Sequence, residues 1–207
     1  MSIVKLNNRG VRSATAFGSI TGLGSMVFIK KQTASSSATI SFVDGTSDVV
    51  LDDTYKEYLF TFNNMHPQTD GAEFQFNISV DSGSNYNVTK TTTTFDAEHN
   101  EDDSFAGLQY LSGSDLAQST SFQNLNLDME GTDNDGSVSG HLHLFNPSST
   151  TFVKHFIATT ASMHQSARIY NQFTAGYGNT TSAVDAIQFK MSTGNIDAGD
   201  ICLYGIN

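Results

Sequence analysis

Tryptophan is absent from this chain of 207 residues, cysteine occurs once, at Cys202, and proline occurs twice. A single thiol excludes an internal disulfide framework, so stability has to come from packing or from association. Charge is scarce too. Asp, Glu, Lys and Arg make up 15% of the residues and hydrophobic types 38%, against usual shares of roughly 25% and 45–50%. Ser, Thr, Asn and Gly fill the difference. No apolar run approaches the ~18 residues of a membrane helix, and no signal-like apolar core precedes the first glycine, Gly10. The expectation is a soluble chain made in a cytoplasm, with no membrane insertion. No repeat period is present, and an even spread of 15 Phe and 7 Tyr excludes collagen-like, coiled-coil and wholly disordered classes.

Acidic charge dominates, with a formal net charge of −11. Residues 1–31 nevertheless hold Lys5, Arg9, Arg12, Lys30 and Lys31 and no Asp or Glu, leaving five basic against 21 acidic residues for the rest. An acidic body repels phosphate backbones, so nucleic acid is not an expected ligand. The basic head reads either as a solvated tail or as a docking arm for an acidic partner surface, with Lys5, Arg9 and Arg12 as its contact residues.

Period two is the prevailing pattern. In the segment 73–81, Phe74, Phe76, Ile78 and Val80 alternate with Glu73, Gln75, Asn77, Ser79 and Asp81, which predicts a half-buried strand with the second set facing water. The same alternation recurs at Ala38/Ile40/Phe42, Leu125/Leu127/Met129, Leu142/Leu144 and Ile187/Phe189/Met191. Further strands are expected at 26–31, 58–62, 152–159, 168–173 and 201–206, about ten in all. No helical period is sustained. Many short strands separated by polar turns predict an all-β fold, a two-sheet antiparallel β-sandwich of jelly-roll type. Residues 94–103, 112–120 and 131–140 read as longer loops. Residues 1–24 lack alternation and are expected to form an extended N-terminal arm, with the sandwich spanning 25–207; such an arm has a use in an assembly, where it can add to a neighbour's surface or sheet edge.

Motifs for chemistry are missing. There is no G-x-S-x-G elbow, P-loop, dinucleotide fingerprint or H-E-x-x-H, and Cys202 falls in an apolar strand where a thiol is inert. Asp133-Asn-Asp135-Gly136 resembles part of a calcium loop, but position 131 is Gly and no bidentate Glu follows at the required spacing, so an Asx-rich turn is the better account. His141 and His143 share one strand face with His155 in reach on another strand. Two His without a fixed acidic or thiol partner read as exposed strand residues, or as an ion site only on a symmetry axis. No enzyme activity, metal or cofactor is therefore expected. A carbohydrate-binding module is an alternative; without Trp it would have to use Tyr55, Tyr86, Tyr110, Tyr170 or Tyr177.

The C-terminal run Gly194-Asn-Ile196-Asp-Ala-Gly199-Asp-Ile201-Cys-Leu203-Tyr204-Gly205-Ile206 resembles the closing strand of a recurrent family of tailed-phage virion proteins, marine phages and cyanophages among them, whose chains end in a pattern like G-N-x-x-x-G-x-I-x-L-Y-G-I. The Tyr55–Asn64 strand, Phe74-Gln-Phe-Asn-Ile-Ser and Gly140-His-Leu-His-Leu-Phe-Asn-Pro147 agree with it, over about residues 25–207. Gly199, Ile201, Leu203, Tyr204 and Gly205 carry the signature, and Gly205 is expected to leave room for a large neighbour. The resemblance implies a non-enzymatic role on the virion surface after synthesis in the host cytoplasm: a tail fibre or appendage for host adhesion, or alternatively a capsid decoration protein. Implied partners are other virion proteins, further copies of the chain as a homotrimer, and a host-surface glycan or protein. Glu98, His99, Glu101, Asp102 and Asp103 form the expected receptor-contact loop.

Overall fold

The computed structural model describes residues 25–207, and among them there is no helix. Twelve strands form: β1 (Met26–Thr33), β2 (Ile40–Val43), β3 (Glu57–Pro67), β4 (Phe74–Ser79), β5 (Lys90–Asn100), β6 (Ala106–Tyr110), β7 (Gln123–Asn124), β8 (Val138–Phe145), β9 (Lys154–His164), β10 (Arg168–Gly178), β11 (Ala186–Met191) and β12 (Ile196–Ile206). They make an eight-stranded sheet in the order β1-β12-β3-β8-β9-β10-β5-β6 and a four-stranded sheet in the order β2-β11-β4-β7. Every ladder is antiparallel. The expected two-sheet antiparallel sandwich is what forms. Its division is eight and four, whereas a simple jelly roll shares eight strands between its two sheets.

The core follows from alternation. Tyr58, Phe60 and Phe62 of β3 point inward and are closed off from solvent, as are Phe42 of β2, Phe74 and Phe76 of β4 and Phe189 of β11. Their rings interlock across the two sheets: Phe42 against Phe60 at 5.4 Å, Phe62 against Phe74 at 5.1 Å, and Phe76 against Phe156 of β9 at 5.0 Å between centroids. Edge-to-face pairs of this kind add about 0.5–1.5 kcal/mol each to the gain from burial. Phenylalanine therefore supplies the bulk that tryptophan does not.

In β12, Ile201 and Leu203 are fully buried while Cys202 and Tyr204 lie on the opposite face, opposite Thr61 and Leu59 of β3, as the alternation predicts. Gly205 meets its expectation closely: a Cβ there would sit 2.2 Å from the Tyr55 ring. Gly199 has φ +119, and a Cβ there would come 2.6 Å from the Asn64 carbonyl, where the ladders of β3 and β12 slip register together.

Three strand expectations need correcting. Residues 94–103 are mostly strand, since β5 runs to Asn100. Leu125, Leu127 and Met129 do not form a strand; the two-residue β7 ends just before them at Asn124, and within the segment only Met129 makes isolated bridges, to Ala72 and His164. In β4, Asn77 and Ser79 are fully buried whereas Val80 is exposed beyond the strand end. Asn77 is buried because its amide bonds the carbonyls of Tyr86 and Thr120, and its Oδ1 accepts from the Lys90 ammonium at 2.5 Å.

Candidate functional site

The rings of the four-stranded sheet pack on β3 and β9, and it reaches β5 and β10 only at one end, where Asn77 of β4 meets Lys90 and Ile78 lies against Gly178. Elsewhere the inner face of β5 is met by the chain between residues 111 and 127, β7 included. The inward side chains of β5 and β10 are largely polar, and that chain bonds some of them and their backbone. Thr92 accepts from Leu116 N at 2.7 Å and donates to Gln123 Oε1 at 2.7 Å. Leu111 N donates to the Thr94 carbonyl at 2.9 Å, and Thr160 donates to the Leu125 carbonyl. Glu98 is 7% exposed, accepting from Arg168 Nη1 at 2.5 Å and from Gln109 Nε2 at 3.0 Å. Asp96 is fully buried and neither carboxylate oxygen has a hydrogen-bond partner. Burial raises its carboxyl above the usual range, offset in part by the nearby Gln109 amide, which points at Glu98 rather than at Asp96.

With polar groups inside, the apolar members of these strands face out. Phe95 of β5 and Phe173 of β10 stand opposite each other and stack, 5.0 Å between centroids at 10°. Their row continues through Tyr110 of β6 on one side and through Thr159 and His141 on the other. A neighbouring row holds Thr93, Ala175, Ile157 and His143, and a third holds Leu108, Ala97, Asn171, Ala161 and Ser139. Leu108 is 79% exposed, Tyr110 59% and Ile157 49%. No Asp, Glu, Lys or Arg occupies an outward position on β8, β9, β10, β5 or β6, five adjacent strands of a chain with 21 acidic residues.

Beside the Phe95/Phe173 ridge lies a cleft of about 530 Å³. Phe145, His155, Ile157 and Tyr177 wall it together with Thr91 and Thr93, and the His155 and Tyr177 rings are 6.1 Å apart. Gly176 forms part of its lining. The surface therefore presents a ridge and a hollow, both uncharged, on one face.

The sequence-predicted residues are spread over several places. Lys5, Arg9 and Arg12, with the whole expected arm 1–24, lie outside the described residues. Gly199, Ile201, Leu203, Tyr204 and Gly205 sit together on β12 and serve packing. Of the expected receptor loop, Glu98 and His99 belong to β5, and Glu98 is turned inward to Arg168, which removes it from any contact surface. Glu101, Asp102 and Asp103 do form an exposed turn, with Asp102 bonded to Ser104 and Asp103 to His99. His141 and His143 share the outward face, 5.2 Å between rings. His143 bonds the Glu57 carboxylate, and burial, followed by the neighbouring His143, holds His141 below the usual imidazole range. His155 is two residues along β9 from Ile157, the residue opposite His143, and so does not complete a triad with the pair. Asp133 and Asp135 are exposed in a turn closed by Gly136 N on the Asp133 carbonyl. No three His, Cys, Asp or Glu side chains converge as a metal site among the described residues. Phe95, Leu108, Tyr110, Ile157 and Phe173 as a surface were not foreseen, though the reversed alternation of Thr92/Thr94/Asp96/Glu98 with Thr93/Phe95/Ala97 is visible in the sequence.

No protein-family model, curated protein or solved structure matches this chain.

Proposed function

We propose that the chain is a non-enzymatic structural subunit of a tailed-phage virion, carried on the particle surface as a tail appendage for host adhesion. The observation that supports an assembly role is the uncharged aromatic face across β8, β9, β10, β5 and β6. A contiguous exposed apolar surface is a mark of protein contact, and an acidic chain that keeps carboxylates off the outward positions of five adjacent strands keeps that face fit for burial. The phage assignment rests on the resemblance of the β12 signature to virion proteins. Adhesion is the first role and capsid decoration the second.

Quantifying the protein by mass spectrometry in purified particles of the encoding phage tests the proposal. Copies on the order of tens fit a tail appendage, whereas hundreds fit decoration, because the count follows the symmetry of the location. Absence from the particle overturns the reading. A carbohydrate role has one feature in its favour, the cleft with the Tyr177 and His155 rings side by side. Glycan-array binding by the free protein that is lost in Tyr177→Ala would replace the assembly reading of that cleft.

A further inference from the structure

We infer that the uncharged face binds a second copy of this chain in a two-fold contact. This deepens the assembly reading above and rests on it. Three features select that occupant.

The first is charge. A partner of opposite sign would be met by carboxylates, and the outward positions of these five strands carry none. A copy of the same acidic chain is repelled everywhere that carboxylates cluster, and can come close only where both surfaces are neutral.

The second is shape. Ridge and cleft are neighbours on one face: the Phe95/Phe173 row and the row of Thr93, Ala175 and Ile157 are successive outward rows of the same strands. Face-to-face packing about a two-fold places each copy's ridge at the other's cleft, the self-complementarity that an isologous interface requires. Phe95, Phe173 and Tyr110 would then meet Phe145, His155 and Tyr177. Aromatic anchors seated in a pocket are the usual carriers of binding energy. A face that carries both ridge and cleft, and so is complementary to itself, favours a two-fold dimer over the trimer expected by analogy with phage appendages.

The third is size. Five strands at about 4.8 Å spacing and six residues of about 3.4 Å rise cover on the order of 500 Å² in projection per copy. This is the range of small specific interfaces, which bury less than about 1,200 Å² in total. A contact of that size is sought in the micromolar range, and it is reinforced where many copies share one particle.

The test is sedimentation equilibrium of the full chain across the micromolar range, with Phe173→Glu and Leu108→Glu on the face and Val80→Asp, an exposed apolar residue after β4, as control. The expected result is a wild-type dimer weakened at least about tenfold by each face variant and unchanged by the control. Leu108 is the more exposed of the two face positions, so Leu108→Glu gives an answer even if Phe173→Glu disturbs folding. A wild-type monomer across that range, a trimer, or a dimer indifferent to both face variants overturns the inference. So does a dimer that disappears when residues 1–24 are deleted, which would make the N-terminal segment the occupant. Failure here leaves the particle count untouched, and absence from particles leaves the dimer untouched, so the two readings fail separately.

Discussion

Lys90 ends in the interior, fully buried, its ammonium donating to Asn77 Oδ1 across the sheets at 2.5 Å and to the Val88 carbonyl at 2.9 Å. Two neutral acceptors and no carboxylate leave the charge poorly compensated, and burial pushes the ammonium down from 10.5 to about 7. Between those values the unfolded chain binds a proton that the folded chain has released, so this residue makes stability rise with pH across the window. Below about pH 7 the charged form is held in the core at full cost. Lys90→Met keeps the length and removes the charge, while Asn77 Oδ1 still accepts from Ile78 N at 2.9 Å. The variant should therefore have its largest stability advantage over the wild type near pH 6, shrinking as pH rises to 10, in urea unfolding at each pH. An advantage that grows with pH would contradict the assignment.

Among the elements, β12 and β5 show what alternation can and cannot convey. β12 lies between β1 and β3 and buries Ile201 and Leu203 completely. Leu203→Ala should cost about 2–5 kcal/mol, whereas Asp102→Ala, in the exposed turn after β5, should stay within about 0.5 kcal/mol. Thermal melts of the two variants decide the matter, and a neutral Leu203→Ala would place β12 at a frayed margin. β12 was legible because its apolar side is its buried side. β5 was not, because its buried side is Thr92, Thr94, Asp96 and Glu98 and its solvent side includes Phe95; a reading that assigns polar residues to water turns such a strand into an acidic loop. Leu125–Met129 failed in the opposite direction. Leu125 and Met129 are buried by a cover segment whose backbone bonds Phe74 and Ala72, and no long ladder is involved. Burial without pairing leaves the same apolar spacing as a strand. The interaction face was hidden for the same reason as β5, since its residues become a surface only when β8, β9, β10, β5 and β6 are set side by side.

At the scale of the whole molecule, charge and apolar surface are kept apart, with a net −11 on the chain and none of its Asp, Glu, Lys or Arg on the outward positions of the five strands. Salt then acts oppositely on the two proposed contacts. Self-association through the neutral face is opposed by the like charge of two acidic bodies, and screening relieves that repulsion. The dimer should tighten as sodium chloride rises from low to physiological ionic strength. Attachment through Lys5, Arg9 and Arg12 is attractive and should weaken over the same range. Sedimentation at several salt concentrations, together with retention of the protein on washed particles, separates the two; a dimer that loosens in salt would mean that charge pairs hold it.

The place of β12 also orders the folding of the large sheet in time. β1 touches that sheet through β12, with Met26 paired to Ile206 and Thr33 to Asp200. A nascent chain that has not yet supplied residues 196–206 therefore has nowhere in this sheet to lay β1, and the edge of β3 stands open. Joining segments so far apart in sequence requires a large loop to close before any ladder bond compensates for it, which slows the step. Until it is complete, β3 exposes an unpaired edge to other chains. The last event in building the sheet is thus also the one that ties down the strand carrying Lys30 and Lys31, the end of the basic head.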